Sequence, residues 1–332
     1  MSNRTMVTEF LLLGFSDVRE LQVLHFVGFL VMYLVALTGN LLIITAVALN
    51  HHLHTPMYFF LMNMSFLDLG SISTIVPKSM ANSLMSTRSI SYYGCVAQVF
   101  LFLFFATTEL PLLTIMAYDR YIAICQPLHY ETVMNRRVCV RLAAGIWISG
   151  VLNSALHTGN TFAIIFCGDN EMDQFFCEIP QLLKLACYDS YIGETGAIVV
   201  SVCFALSCFV LIVVSYVLIF KTVLRIPSEQ GRHKAFSTCI PHLTVVSLFV
   251  STASFAYIKP TSSSISGLDL LVAVLYSVVP PMMNPIIYSM RKRDQSCPEE
   301  NDWVKAILQK INWPFFSNDH SLIPCFFMNI IN

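Results

Sequence analysis

VLIVVSYV, from Val210 to Val217, and LLIITAVA, from Leu41 to Ala48, are the stretches whose reading decides the fold. A strand that crosses a membrane in a barrel alternates apolar and polar residues, and neither stretch alternates. Each lies inside an apolar run near the roughly 20 residues that a helix needs to cross the hydrocarbon layer. Working outward, such runs recur at residues 24–49, 57–80, 95–124, 139–160, 195–224, 235–258 and 268–290. The expected fold is therefore an all-α membrane protein, a bundle of seven transmembrane helices. Composition agrees: of 332 residues 56% are hydrophobic and 12% charged, against about 25% charged in a soluble domain. Too few charges exist to coat a water-soluble globule.

Seven crossings place the termini on opposite sides, and the basic residues of short loops mark the cytoplasmic side. Arg136, Arg137 and Arg141 follow span three; Lys221, Arg225, Arg232 and Lys234 follow span five; Arg291, Lys292 and Arg293 follow span seven. The alternate loops are poorer, with Arg88, Lys184 and Lys259. The N-terminus is thus expected outside and the C-terminus inside. The chain divides into an extracellular segment 1–23, a seven-helix membrane domain 24–291 and a cytoplasmic tail 292–332. Met1 to Gln22 lacks the basic start and sustained apolar core of a cleavable leader, so span one is expected to target the chain. An exported N-terminus makes Asn3-Arg4-Thr5 a glycan acceptor, whereas Asn63-Met64-Ser65 falls inside span two. A net charge of -1, with basic residues scattered over several loops, offers no face for nucleic acid.

Four of the 11 cysteines, Cys95, Cys167, Cys177 and Cys187, fall at the outer end of span three or in the long loop before span five. An oxidising compartment permits disulfides there. Two bridges are expected, and four cysteines allow three pairings. Such bridges would hold a loop containing Asp169, Glu171, Asp173 and Glu178 over the mouth of the bundle. The spacing lacks the close pairs of a zinc site.

Polar groups also occur at bilayer depth: Asn40 in span one, Asp68 in span two, Glu109 in span three and Asn284 in span seven. Intramembrane acids are costly and mark function. Two nearby carboxylates do not both stay ionised unaided, so either one carries a proton or a cation such as sodium lies near Asp68 and Glu109. No other cofactor is expected. Span seven holds Pro280, Pro281 and Pro285, each of which removes a backbone donor and frees the carbonyl four residues earlier. A kink is expected there.

At the inner end of span three the chain reads MAYDRYIAIC, Met116 to Cys125, and here it resembles the olfactory branch of the rhodopsin-like G-protein-coupled receptors. The resemblance extends over about residues 1–293 through Gly39-Asn40, PMYFFLMNMSFLD (Pro56 to Asp68), Ser215-Tyr216, KAFSTC (Lys234 to Cys239) and PPMMNPIIYSMR (Pro280 to Arg291). It implies a multi-pass plasma-membrane receptor, not an enzyme. Such a receptor binds a small volatile odorant and activates a stimulatory olfactory-type G protein, raising cyclic AMP. It also implies an inner-face switch of Asp119, Arg120, Tyr121, Tyr216, Asn284, Pro285 and Tyr288. Arg232, His233 and Lys234 at the start of span six would repel Arg120, so the resting state must rest on packing and hydrogen bonds, the Asp119 to Arg120 pair included.

The resemblance places the ligand in the outer half of the bundle, between spans three, five, six and seven. Span three offers Phe102, Leu103, Phe105, Ala106 and Thr107 there, and spans five to seven add Ser201, Phe204, Tyr257 and Ser277. These make an apolar pocket with a few hydroxyls and no carboxylate for an amine, which suits a mostly apolar, neutral guest. Tyr257 and Thr107 are expected to hydrogen-bond it.

Two features depart from the family. After Arg291 the chain is polar and broken by Pro298, with helical apolar spacing resuming only at 302–312, and Pro241 interrupts span six. Both bear on coupling more than on fold. A transporter or channel would also use intramembrane acids, but the two halves show no internal repeat. A membrane enzyme would need a metal pair or nucleophile motif, and His157 and His242 stand isolated, as satisfied bundle residues would.

Overall fold

The computed structural model describes residues 8–16, 18–85, 88–166, 170–187, 192–258 and 267–289. Among these described residues, ten α-helices run in the order α1 (Arg19–Leu49), α2 (Pro56–Met85), α3 (Tyr92–Cys125), α4 (Tyr130–Val133), α5 (Arg136–Phe162), α6 (Ile179–Lys184), α7 (Ile192–Val223), α8 (Glu229–Ile258), α9 (Gly267–Ser277) and α10 (Val279–Ser289). Seven segments are long and apolar enough to cross a membrane, the seventh being α9 and α10 together, Leu270–Tyr288. The seven expected spans are all present, and most outrun their predicted ends. Polar caps carry the helices past the apolar runs: Ser91 accepts the Gly94 N–H at 3.1 Å and Asn135 accepts that of Val138 at 3.1 Å. Each satisfies a backbone donor that the first turn leaves open.

Lipid replaces water as the outer solvent, so apolar side chains point both ways. Val200, Leu206 and Val210 are more than half exposed on α7, while Ile212, Tyr216, Ile219 and Val223 of the same helix are buried. Helix α3 is central, packing against α2, α5, α7 and α8. Its inner half joins α2, α5, α7, α8 and α10 in a core around Met64, Leu112, Leu113 and Met116.

Span seven is broken where its prolines act. Pro285 has no N–H to offer the Pro281 carbonyl; Asn40 Nδ2 donates to that carbonyl instead, at 3.0 Å. The same amide also donates to Ala36 O at 3.0 Å, so α1 and α10 are joined at bilayer depth. Pro77, Pro111 and Pro241 lie within α2, α3 and α8 without ending them.

A small sheet closes the end that the loop charges assign to the outside. Strand β1 (Glu9–Leu12) pairs antiparallel with β2 (Ser89–Ser91) and parallel with β3 (Glu171–Met172), in the order β2-β1-β3. This small sheet beside the all-α bundle was not foreseen, because strands of two to four residues carry no periodicity to read. Phe10 is fully buried beneath it, edge-on to Phe166.

Candidate functional site

The outer loop is fastened to the bundle at three points. Cys95 near the start of α3 is disulfide-bonded to Cys177. One turn along α3, Gln98 accepts the Cys177 N–H at 2.8 Å and donates from its amide to Thr74 O at 3.1 Å. Glu178 takes the Tyr276 hydroxyl of α9 and is approached by Gln174 and Gln181, each at 3.4 Å. Burial pushes the Glu178 carboxyl above its ordinary range, against the lowering effect of those donors and of Lys184. Cys187 is also disulfide-bonded, and its partner is not among the described residues; Cys167 itself lies outside them. Of the expected loop acids, Asp173 pairs with Lys184 at 3.6 Å on the surface, and Glu171 is exposed in β3. Gln98 and Tyr276 were not foreseen. The three-residue step from Cys95 to Gln98 was the available signal, since it puts both on one helix face.

Below this loop the expected pocket residues part company. Phe102 meets Phe176 of the loop with ring centroids 5.2 Å apart, and Phe176 in turn meets Tyr276 at 6.3 Å. Leu103 packs toward Cys95, Val99 and Cys177. Phe105 lies over Gly70 of α2, so its ring is directed away from α7. Thr107 donates to Leu103 O at 2.8 Å, leaving its oxygen to accept, and Ala106 is half-buried. Ser277 is buried and donates to Ala273 O. Phe204 is 53% exposed, on the outer face of α7. Tyr257 is within α8, and its side chain lies outside what is described.

Ser201 belongs to a different group. Its hydroxyl donates to Asn153 Oδ1 at 3.0 Å and faces His157 Nε2 at 2.8 Å, while His157 Nδ1 meets Glu194 at 2.5 Å. With the hydroxyl proton committed to Asn153, Nε2 must carry the hydrogen toward Ser201. The cluster ties the outer ends of α5 and α7, and His157 is a satisfied bundle residue as expected. Glu194, 1% exposed, was overlooked because it sits at the edge of an otherwise apolar run.

Deeper in the bundle, Asn284 Nδ2 donates to both carboxylate oxygens of Asp68, at 3.0 and 3.2 Å. Asp68, Glu109, Asn40 and Asn284 are all buried to 5% exposure or less. The Oδ1 atoms of Asn40 and Asn284 have no partner among the described residues. Buried carboxylate and amide oxygens are the atoms that a hard cation takes, and Asp68 with Asn284 is the pair shown in direct contact.

Toward the inner face, His242 of α8 links two helices. Its Nε2 meets Leu113 O at 3.1 Å; a carbonyl only accepts, so Nε2 carries the proton and Nδ1 accepts the Tyr216 hydroxyl at 2.8 Å. Asp119 accepts the Tyr130 hydroxyl at 2.8 Å. Tyr130 stands on α4, in the loop after span three, so Asp119 is held by a partner not expected from the sequence as well as by the charge of Arg120. Burial first, and then the Asp119 carboxylate, drive the Tyr130 hydroxyl well above the ordinary range. Arg120 is 8% exposed, with Nε unpartnered among the described residues. Tyr121 accepts from Gln126 at 3.3 Å, Pro285 abuts Gly39, and the Tyr288 hydroxyl has no partner among the described residues. Asn63 is engaged with Phe59 O and the Trp147 ring N–H; Asn3 lies outside the described residues.

A family model described as "Olfactory receptor" matches residues 29–308. Among curated proteins the chain is 52% identical over 293 residues to olfactory receptor 14A16 of Homo sapiens, covering 88% of this chain and 94% of that one. It is 50% identical over 311 residues to olfactory receptor 14J1 of Homo sapiens, covering 94% of each.

Proposed function

This chain belongs to the olfactory receptor family, and we propose that it detects a small, mostly apolar, neutral molecule in the outer half of its bundle and activates a stimulatory olfactory-type G protein. It is a multi-pass plasma-membrane receptor rather than an enzyme. One observation carries the finer reading: buried polar contacts run from the loop to the inner face. They pass from Glu178 and Tyr276 through Asp68 and Asn284, then to Tyr216 with His242 and to Asp119 with Tyr130. The first joins the loop to α9 and the others join different helices, so a shift of one span must exchange some of them. A ligand moves such an equilibrium only by binding one arrangement more tightly.

In this reading the odorant sits under Phe176, against Phe102, Leu103, Ala106 and Thr107 of α3 and across from Ser277 and Tyr257. Thr107, whose proton is committed, accepts a hydrogen bond from the ligand. Phe105, Ser201 and Phe204 act at one remove, by packing. Activation frees Arg120 from its buried place and opens the basic inner ends of α7 and α8 to the G protein. Asp68, Glu109, Asn40 and Asn284 would hold sodium, whose single charge would offset one of the two carboxylates in the resting bundle. Asn3 carries the glycan, and Cys167 bridges Cys187.

The test is cyclic AMP in cells expressing this chain with an olfactory-type G protein and challenged with volatile compounds. A ligand-dependent rise, lost in Arg120→Ala at equal surface level, is the expected result. Silence at good surface expression, persisting after residues 292–332 are replaced by a family tail, would count against coupling. With a ligand in hand, Thr107→Val and Tyr257→Phe should each weaken potency by about two- to tenfold, the worth of one hydrogen bond. Unchanged potency for both would remove the polar anchors from the pocket.

A further inference from the structure

The loop between α1 and α2, on the face that the loop charges assign to the cytoplasm, reads HHLHTP from His51 to Pro56. Residues His51–Leu53 form one short 3-10 helix, closed by the Leu53 N–H donating to Asn50 O at 3.0 Å and the His54 N–H donating to His51 O at 3.2 Å. In that geometry side chains three apart stand over one another. Leu53 is 4% exposed and seats the turn, whereas His51 and His54 are both exposed. Their rings lie with centroids 5.0 Å apart and planes at 81°.

The two rings differ in what holds them. His54 Nε2 meets Val47 O at 3.1 Å; a carbonyl only accepts, so Nε2 donates and Nδ1 keeps the lone pair. A histidine that binds a metal through one nitrogen commonly gives its other N–H to a carbonyl in this way, which fixes the tautomer and the direction of the ring. The His51 side chain makes no hydrogen bond among the described residues, so either of its nitrogens can turn to a shared ion. With N–metal bonds of about 2.0–2.1 Å, two imidazoles on one ion, at right-angled to tetrahedral geometry, have centroids about 4.5–5.2 Å apart. The observed spacing falls inside that range.

We infer that His51 and His54 form a binding site for a divalent transition-metal ion, zinc being one that imidazole nitrogens take without redox chemistry. His54 Nδ1 and one nitrogen of His51 ligate the ion. No group of three or more His, Cys, Asp or Glu side chains is placed to hold a metal among the described residues, so water fills the remaining positions. An ion with two protein ligands exchanges rather than building the fold. The His52 side chain lies outside what is described. Val47, whose carbonyl orients His54, packs with Ile43 and Leu61 in the cluster against which Tyr288 lies. The ion therefore fastens the turn between α1 and α2 beside a residue of the proposed switch. That consequence for signalling rests on the odorant-receptor reading; zinc binding itself does not.

The test uses the purified full chain in phosphatidylcholine nanodiscs, stripped of metal and titrated with zinc chloride by calorimetry, with empty nanodiscs subtracted and no G protein. Saturable zinc binding is expected, weakened about tenfold or more by His51→Gln and by His54→Gln. Zinc should also raise the melting temperature of the parent and leave that of both variants where it was. His129→Gln, which removes an exposed histidine from the next inner loop, should bind zinc as the parent does. Unchanged affinity in His51→Gln would overturn the site; this side chain makes no hydrogen bond among the described residues, and an unaltered melting temperature without zinc shows that the variant folds. An equal loss in His129→Gln would also overturn it, by assigning the zinc to inner-surface histidines at large. Because no coupling is read, failure here leaves the signalling proposal standing, and silence in the cyclic AMP assay leaves this one standing.

Discussion

Gly39 is where one missing side chain decides how two spans meet. A Cβ at this position would lie 2.8 Å from Pro285 Cβ, and a proline ring is tied to its backbone at both ends, so it cannot swing aside. The neighbouring Asn40 then reaches the carbonyl that Pro285 leaves free. The Gly39-Asn40 pair and the Pro281 to Pro285 segment are thus two halves of one contact. Gly39→Ala should destabilise the purified receptor by about 1–3 kcal/mol, the usual cost of overpacking, read as a lowered melting temperature. Gly145→Ala is the control, since an added methyl there meets nothing within 4 Å. Equal melting temperatures for the two would mean that α1 and α10 are not held at this distance in the bilayer.

At the scale of an element, the outer loop depends on the charge of Glu178. Burial raises this carboxyl above its ordinary 4.5, so the docked loop prefers the protonated form. The sign follows: the group's contribution to docking is fully present below about 4.5 and fades as pH rises through the raised value. The melting temperature should fall on going from acidic toward neutral pH by more in the parent than in Glu178→Gln. Glutamine keeps an acceptor for Tyr276 and carries no charge at either pH. Parallel curves for the two proteins would show that Glu178 does not govern the loop. Helices α5 and α7 are tied differently, by His157, Glu194, Ser201 and Asn153, a group that the spacing of any one span does not reveal.

For the whole molecule, the bridge from Cys95 to Cys177 spans 82 residues and joins the sheet, the loop and the central helix. Chain entropy alone would assign a loop of that length about 4–5 kcal/mol. The bilayer already confines the helix ends, so that figure is an upper bound. Cys177→Ser should lower surface expression and bring the melting temperature down, most sharply for the amides of β3 and α6 in hydrogen exchange. Unchanged exchange in those segments would mean that Gln98 and Glu178 suffice to hold the loop. The seven spans, the family and the location in a membrane were all legible in the chain. The directions of the candidate side chains were not, because Phe105, Ser201 and Phe204 share a depth with Phe102 and Thr107 but face other neighbours.

What the sequence alone determined was set by solvent. Runs of about 20 apolar residues have no other use than to cross lipid as helices, and Asp68, Glu109, Asn40 and Asn284 are conspicuous because lipid makes them costly. Tertiary structure decided the partners: Asn40 for the Pro281 carbonyl, Tyr130 for Asp119, Tyr276 for Glu178, and β1 between β2 and β3. Hydropathy gives each residue a depth along its helix, whereas a hydrogen bond needs a direction and a distance across to another helix. Those are fixed only when the seven spans pack together.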